Sequence, residues 1–318
     1  MEGRMEDIYM VLIQVGTLLS AKLFFDRIFE KAESRLPSFF GILLYMTGPY
    51  RIYVCYDLAD LSQAAVWMLV PLYAWAIAGS VRDGKLKSCA AAMATAAVVL
   101  AGIGYVDTVM FVILAGLTML TALIVRKPRI LISLAAGVVL FLPGLYLLAG
   151  YLFLGQSEES GITLQPIMRN GYAIGEYFQS YAYRNGHPGM GLGMLICLLT
   201  GLWLIFVKGE DGADRESCKT CRFFTGLSIF LVVLSTRYFP WDILQRMGDW
   251  SLRLISMIET PAVFWGLGFG CMCVPAARSV ERISREKNKI AAIAVPVLIL
   301  LVSIGVCVYQ CQYGYLWG

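Results

Sequence analysis

Ten long apolar runs are the feature that most restricts what this chain can fold into. A helix that crosses the roughly 30 Å hydrocarbon core of a bilayer needs about 20 predominantly apolar residues. The second and eighth runs are short, and each is either a tilted span or a re-entrant segment. The runs occupy residues 8–25, 37–50, 63–81, 88–105, 108–125, 130–154, 190–207, 223–235, 260–275 and 290–309.

The composition agrees with a chain that lies largely in lipid. Of its 318 residues, 58% are apolar and 15% are charged, whereas soluble domains have roughly 45–50% and about 25%. This balance excludes a water-soluble enzyme, a disordered chain and a disulfide-rich secreted module. The sequence therefore predicts an all-α membrane protein, a bundle of nine or ten transmembrane helices with interfacial helices on the outer face.

Two further classes of function are disfavoured by simple counts. The net charge of +4 is small and its basic residues sit in short loops, so we expect no nucleic-acid partner. The single histidine, His187, is too few for a histidine-based metal site. No metal-ligand set is assigned from the sequence.

The basic residues indicate how the chain is oriented. Short loops rich in Lys and Arg remain in the cytoplasm, and every second loop here is basic. We therefore predict one polytopic domain over residues 1–318 in the bacterial plasma membrane, with both termini outside if both short runs cross. The predicted cytoplasmic loops are 26–36, 82–87, 126–129, 208–222 and 276–289, and the predicted outer segments are 51–62, 155–189 and 236–259.

The first outer segment carries candidate catalytic carboxylates. Asp57 and Asp60 are three residues apart, a spacing that would place both on one face of a helix. Such a pair would serve as a base or hold a divalent cation beside substrate phosphates. An ordinary solvated helix start is the alternative. Arg51 follows the helix-breaking Gly48-Pro49 pair and is a candidate for binding phosphate or lipid.

The second outer segment, 155–189, is the longest polar stretch. We expect an interfacial helix near residues 171–183. Aromatic side chains with a few polar groups would form a platform for sugar rings or an acyl chain, or would simply lie on the bilayer surface. The candidate substrate-contacting residues are Tyr172, Glu176, Tyr181, Arg184 and His187.

The third outer segment, 236–259, alternates apolar and polar residues at helical spacing, which predicts an amphipathic helix in the outer interface. Arg246 and Arg253 are candidates for binding a phosphate or pyrophosphate, because a guanidinium matches phosphate in a bidentate way. Contact with lipid headgroups is the alternative. The expected anchors at headgroup depth are Phe239, Pro240, Trp241 and Trp250.

Three stretches of sequence, the first two of which make up one block and the third a second block, also form a family-like pattern. Residues 43–51 (LLYMTGPYR) are followed by 68–75 (MLVPLYAW), and FPW stands at 239–241. Their order and separation resemble those of bacterial polytopic membrane proteins of the 6-pyruvoyl-tetrahydropterin-synthase-related group. That group is similar in architecture to GT-C glycosyltransferases, which move a sugar from a polyprenyl-phosphate carrier on the outer face of the membrane.

The resemblance implies a GT-C-like protein that handles a polyprenyl-linked sugar or an envelope polymer precursor, with membrane lipids around it. In the group, an acidic loop lies upstream of the first block, so we expect a partner subunit or missing N-terminal spans to supply it. If the chain is an enzyme, Asp57 or Asp60 would act as base or metal ligand, and Arg246 and Arg253 would stabilise the leaving phosphate. A non-catalytic scaffold or subunit and a transporter of lipid or oligosaccharide are the alternatives.

Overall fold

The computed structural model describes about three fifths of the chain, and within that part the fold is helical. None of the described residues forms a strand, and one isolated bridge joins Tyr172 to Thr236. The all-α prediction is thus confirmed for this part, whereas the predicted spans 88–105 and 130–154 lie outside it. The described residues are 2–30, 32–58, 60–82, 113, 116–117, 119, 121, 123, 171–178, 191–206, 212–256, 258, 261–285, 294–305 and 308.

The helices follow the apolar runs with few exceptions. A π-helical turn, Tyr53–Asp57, follows the third helix, and a 3-10 helix, Ile174–Phe178, precedes the fifth. The α-helices are α1 (Glu2–Ile28), α2 (Leu36–Met46), α3 (Pro49–Ile52), α4 (Leu61–Arg82), α5 (Gly191–Phe206), α6 (Gly212–Ser235), α7 (Trp241–Gln245), α8 (Asp249–Ser256), α9 (Ala262–Arg285) and α10 (Ala294–Gly305).

Two of these helices are long and apolar enough to cross a membrane, namely Asp7–Ile28 within α1 and Ala262–Arg285, which is α9. Four further apolar helices are shorter: Leu36–Met46, Gln63–Ala78, Leu195–Leu204 and Ala294–Gly305. The larger number of spans expected from the sequence stays a prediction.

The chain divides into two compact units. Unit 1 consists of Met1–Ile28, Asp60–Leu164 and Met247–Met257, and unit 2 of Phe29–Ala59, Gln165–Arg246 and Ile258–Gly318. In unit 1, α1 packs along α4. A Cβ atom on Gly16 would lie 2.2 Å from Sδ of Met68, so the two helices approach closely there.

Unit 2 is built around α9, against which α2, α5 and α6 pack. The hydroxyl of Ser228 on α6 donates a hydrogen bond of 2.7 Å to the carbonyl oxygen of Gly268 on α9. On α5, a Cβ atom at Gly201 would lie 3.1 Å from Oγ1 of Thr225 and 3.4 Å from Pro275. These small residues let three helices pack closely.

The contacts between helices define their relative directions. Gly201 and Trp203 on α5 meet α9 at Pro275 and Arg282, so α5 and α9 run parallel. On α6, Ser228 lies beside Gly268 of α9. Thr225, which is earlier on α6, and Pro275, which is later on α9, both lie beside Gly201. The two helices α6 and α9 are therefore antiparallel.

The second helix is also antiparallel to α9. An ion pair of 3.7 Å joins Glu33, just before α2, to Arg285 at the end of α9, while Tyr45 near the end of α2 lies beside Gly270. Unit 2 therefore has two unlike ends. We call them the basic end, with Arg35, Lys219, Arg222, Arg278, Arg282 and Arg285, and the aromatic end, with Tyr50, Tyr53, Tyr172, Tyr177, Trp241 and Trp265.

Two predicted segments differ in the structure. The segment 208–222, expected as a solvated loop, is helical from Gly212, because it contains Ala, Arg, Glu and Lys, which are good helix formers. The single amphipathic helix expected in 236–259 is instead two helices, α7 and α8. Between them stands Gly248, with φ of +153°, a conformation that favours glycine.

Candidate functional site

A break in the chain after α2 places a buried arginine at the aromatic end. α2 ends at Met46 and Pro49 starts α3, a position that suits proline because its missing N–H is not needed there. Arg51 is 4% exposed, and its Nη1 donates a hydrogen bond of 2.8 Å to the carbonyl oxygen of Met46. The bond satisfies a carbonyl at the end of α2 and fixes a positive charge inside the protein.

Gly48 brings this break against α9. A Cβ atom there would lie 2.5 Å from Cε1 of Phe269 and 3.1 Å from the carbonyl oxygen of Tyr45. Only a residue without a side chain allows the chain to pass this close to the ring. The position of Arg51 is therefore determined by packing as well as by its own hydrogen bond.

A short segment of the second outer stretch docks onto the end of α6. The backbone N–H of Tyr172 donates to the carbonyl oxygen of Ser235, and the N–H of Arg237 donates to the carbonyl oxygen of Tyr172, both at 3.0 Å. Oε2 of Glu176 accepts the N–H of Ala173 at 2.7 Å, which caps the 3-10 helix. Glu176 thus has a structural role in holding this segment.

The rings of this segment pack against α9. The centroids of Tyr172 and Tyr177 are 4.9 Å apart, and Tyr177 meets Trp265 edge-on at 5.6 Å. Oη of Tyr177 lies 2.6 Å from Oγ of Ser235 and 3.2 Å from the carbonyl oxygen of Val232. Trp265 is fully buried, and its Nε1–H finds no acceptor among the residues that the structure describes.

Burial controls the charge of these tyrosines. It raises the pKa of Tyr172 well above its ordinary value, and nearby groups, Tyr50 first and then Tyr177 and Tyr53, raise it further. The pKa of Tyr177 is also raised, again mainly by burial. Both hydroxyls are therefore neutral at physiological pH.

Together these residues form one site. We call it the aromatic cluster, and it consists of Tyr50, Tyr53, Tyr172, Tyr177 and Trp265. Tyr50 and Tyr53 flank Arg51 in the sequence and pack at 6.1 Å. The cluster combines aromatic faces, neutral hydroxyls, an indole N–H and a neighbouring guanidinium, all at one end of unit 2.

Trp241 is buried in the protein, whereas the sequence predicted that it is an anchor at headgroup depth. It is 4% exposed, its Nε1–H donates to the carbonyl oxygen of Leu234 at 3.1 Å, and it stacks on Phe264 at 5.6 Å. Because its ring and its N–H are both satisfied by protein, it belongs to the core. Phe239 is half-buried and Pro240 is exposed, so their anchoring stays a prediction.

The two candidate carboxylates do not share a helix face, and that expectation is wrong. Asp57 ends the π-helical turn in unit 2, whereas Asp60 precedes α4 and belongs to unit 1. Oδ1 of Asp60 accepts the N–H of Gln63 at 3.1 Å, as an N-cap does, in line with the alternative of a helix start. A catalytic role for either carboxylate stays a prediction.

The described part of the chain holds no group of three or more His, Cys, Asp or Glu residues that would bind a metal ion. Arg246 is exposed after α7, and its phosphate role stays a prediction. The other candidates fall where the structure does not describe the side chain: Asp57, Tyr181, Arg184, His187, Trp250 and Arg253.

Sequence reasoning missed Trp265 and Ser235. Both lie inside or beside apolar runs, where a tryptophan or serine gives no signal of its own. Arg51 in one outer segment, and Tyr172 and Glu176 in another, were by contrast singled out from the sequence, and all three lie in unit 2. No family model, no curated protein and no solved structure matches the chain.

Proposed function

We propose that this chain is a multi-pass protein of the bacterial plasma membrane that binds a polyprenyl-phosphate-linked sugar at the aromatic end of unit 2. Support for the membrane comes first from α1, most of whose large apolar side chains are exposed. Water-soluble proteins rarely expose an apolar surface of this extent, whereas lipid solvates it. The exposed residues include Ile8, Val11, Leu12, Val15, Leu18, Leu19 and Leu23.

The two unlike ends of unit 2 also support this placement. α2 and α6 start, and α5 and α9 finish, at the basic end, so that arginines and lysines collect on one side of four packed helices. Positively charged ends of spans stay in the cytoplasm. The aromatic end then faces outward, where lipid-linked sugars are used in the group that the sequence resembles.

The observation that carries the proposal is the aromatic cluster beside Arg51. A guanidinium binds phosphate through two parallel N–H bonds, and Arg51 is buried and follows Tyr50 directly in the chain. The N–H of Trp265, which has no acceptor in the described structure, matches a hydroxyl of a sugar. A few polar groups converging in an aromatic lining are typical of a ligand site.

Trp265→Phe tests the sugar contact directly. The ring that packs on Tyr177 is largely kept, and only an N–H without a partner in the described protein is lost, so the thermal unfolding midpoint should hardly change. Affinity for a polyprenyl-phosphate-linked sugar, measured with the protein in nanodiscs, should fall about tenfold, the effect of roughly 1.4 kcal/mol. Unchanged affinity in a folded variant would contradict the proposal.

Arg51→Lys and Arg51→Gln test the phosphate contact. Lysine keeps the charge but not the planar fork, so we expect an intermediate loss of affinity, and glutamine should lose more. Arg35→Gln, an exposed arginine at the basic end, is the control and should bind normally. Equal losses in the Arg51 and Arg35 variants would show that overall charge, rather than this site, governs binding.

Sugar transfer is the second candidate function. It is favoured by the π-helical turn Tyr53–Asp57, because such turns are frequent at functional sites. Asp57→Asn should abolish turnover and leave binding intact. Asp60→Asn should keep full turnover, since asparagine also caps helices. Normal turnover in Asp57→Asn would leave binding as the function.

A further inference from the structure

We infer that Asp242, in the first turn of α7, determines which sugar the proposed site takes, because its carboxylate accepts hydrogen bonds from the hydroxyls of a neutral sugar. The inference rests on the proposed function and narrows the class of its ligand. Asp242 belongs to unit 2, and it directly follows Trp241 at the aromatic end.

The carboxylate of Asp242 has an oxygen that the described protein does not satisfy. Its Oδ1 is shielded from solvent and accepts no hydrogen bond from the part of the chain that the structure describes. The side chain as a whole is only partly buried, so a ligand can reach the carboxylate from the surface. A carboxylate oxygen withdrawn from water without a donor costs free energy. A ligand that supplies the donor removes this cost.

The obvious local partner of Asp242 is not engaged. Arg246 lies four residues later, the spacing at which opposite charges on a helix attract each other. The two residues are joined through the backbone, where the N–H of Arg246 donates to the carbonyl oxygen of Asp242 at 3.3 Å. Among the described residues, no ion pair forms between their side chains. A surface salt bridge therefore does not account for the carboxylate.

The packing of Trp241 determines where the carboxylate lies. The Nε1–H of Trp241 donates to the carbonyl oxygen of Leu234 at 3.1 Å. Its ring lies 4.7 Å from the ring of Phe239 and stacks on Phe264 at 5.6 Å. Because the preceding residue is held at three points, Asp242 is positioned before any ligand binds, which lowers the cost of binding.

A donor without a partner belongs to the same end of unit 2. Phe264, on which Trp241 stacks, directly precedes Trp265. The buried Nε1–H of Trp265 has no acceptor in the described structure. This end therefore combines an acceptor at Asp242 with a donor at Trp265. A hydroxyl both donates and accepts hydrogen bonds, whereas an ionised carboxylate or phosphate only accepts them.

The charges at this end give the ligand one direction. Arg51 is positive and buried, and in the proposed function it meets the phosphate. Asp242 is negative and repels a second anionic group. Like charges brought together cost binding free energy, and such repulsion is a common source of specificity. We therefore expect a neutral, hydroxyl-rich sugar to be preferred over a sugar that carries a carboxylate.

The test compares two carriers with the whole chain in nanodiscs, polyprenyl-phosphate-linked glucose and polyprenyl-phosphate-linked glucuronate. The unsubstituted chain should bind the glucose carrier at least about tenfold more tightly. Asp242→Asn keeps the size of the side chain but removes its charge. It should weaken glucose-carrier binding about tenfold, as expected for a lost hydrogen bond to a charged group, and should reduce the preference over glucuronate. Unchanged affinity for the glucose carrier in this variant would overturn the inference.

Asp249→Asn is the matched control. Asp249 is exposed and lies in the first turn of α8, as Asp242 lies in the first turn of α7. Both variants remove a negative charge that interacts favourably with a helix N-terminus, so their unfolding midpoints should fall by similar small amounts. Asp249→Asn should bind both carriers normally. A much larger fall in the midpoint of Asp242→Asn would show that Asp242 supports the fold, which would overturn the inference.

The two carriers also separate this inference from the proposed function. A chain that binds neither carrier would overturn the proposed function and, with it, the role of Asp242. A chain that binds both carriers equally, with an affinity that depends on Arg51, would keep the proposed function and overturn this inference alone. Weaker binding of the glucose carrier by a stably folded Asp242→Asn would support both.

Discussion

At the scale of single residues, burial decides the roles of the polar groups at the aromatic end. The hydroxyl of Tyr177 hydrogen-bonds Ser235 and the carbonyl oxygen of Val232, and the N–H of Trp241 donates to the carbonyl oxygen of Leu234. Trp265, equally buried, has no such acceptor in the described part of the chain. Two tryptophans that look alike in the sequence therefore differ, because the N–H of one has a protein acceptor and the N–H of the other has none among the described residues.

Tyr177→Phe should change how stability depends on pH. The folded protein holds the hydroxyl protons of Tyr172 and Tyr177 above the ordinary pKa near 10, mainly through burial. The contribution of these two tyrosines to the free energy of unfolding should be constant below that pH and fall above it, because their hydroxyls ionise at a lower pH in the unfolded chain than in the folded protein. The variant should lose about 0.5–1.5 kcal/mol at neutral pH and decline less steeply above pH 10. Unfolding midpoints across this pH range measure both effects.

Ser235→Ala serves as the control for that measurement. It removes a hydrogen-bond partner of Tyr177 but no group that titrates in this range. It should therefore reduce stability at neutral pH and keep the steep decline above pH 10. If Tyr177→Phe and Ser235→Ala declined alike, the buried phenol of Tyr177 would not be the cause.

Gly171→Ala should destabilise the docked outer segment. Its Cβ atom would lie 2.6 Å from the backbone N and 2.8 Å from the Cα of Arg237, and backbone moves aside less easily than a side chain. We expect a loss of about 1–3 kcal/mol. Gly175→Ala, four residues on with nothing within 4 Å, should cost almost nothing. Thermal unfolding of both variants in detergent is the measurement, and similar losses would refute the explanation.

At the scale of elements, unit 2 is held by close helix contacts rather than by long apolar side chains alone. α6 and α9 approach where Gly268 faces Ser228, and α5 joins them where Gly201 faces Thr225 and Pro275. In a membrane, where lipid is as apolar as leucine, small residues and interhelical hydrogen bonds are what favour helix association. The sequence shows these residues but not which of them face one another.

Ser228→Ala tests the contact between α6 and α9. The variant removes the only side-chain donor that the structure shows for the carbonyl oxygen of Gly268 and should cost about 0.6 kcal/mol, the average found for such bonds in membrane helices. Gly226→Ala, on the same helix with open space around it, should be neutral or slightly stabilising. Unfolding free energies in mixed micelles give the comparison, and an equal loss in both would argue against this contact.

At the scale of the whole molecule, basic residues collect at one end of unit 2 and aromatic residues at the other, so the two ends differ in charge. The arginines of α9 follow its apolar part, while Trp265 lies in its first turn. If the helices cross a bilayer, the basic end and the aromatic end of unit 2 face opposite leaflets.

Cysteine labelling tests whether the two ends face opposite leaflets. Lys219 lies in the first half of α6 and Tyr238 follows its last residue by three positions, and both are exposed; each is replaced by cysteine. A membrane-impermeant maleimide added to intact spheroplasts should label Tyr238→Cys above the level of the unsubstituted chain, and Lys219→Cys only after the membrane is opened. Labelling of both from the same side would exclude a membrane-spanning α6.

The sequence by itself determined the class of secondary structure and the approximate extent of the helices. Apolar runs over 8–25, 63–81, 190–207 and 260–275 each became a helix, because hydropathy over a window of that length is a local property. The helix break at Gly48-Pro49 was also predicted from the sequence, since glycine and proline each restrict or loosen the backbone at their own position. Arg51 and Tyr172 were found because charged and aromatic groups stand out beside apolar runs.

Only the tertiary structure decided which of these residues meet. The burial of Trp241 depends on Phe264 and on the carbonyl oxygen of Leu234, which lie beside it in space. The same holds for Trp265, whose value to the site comes from Tyr177, which lies far from it in the sequence, and from the lack of an acceptor in the described structure. Burial is a property of packed helices, and no pattern along one helix contains it.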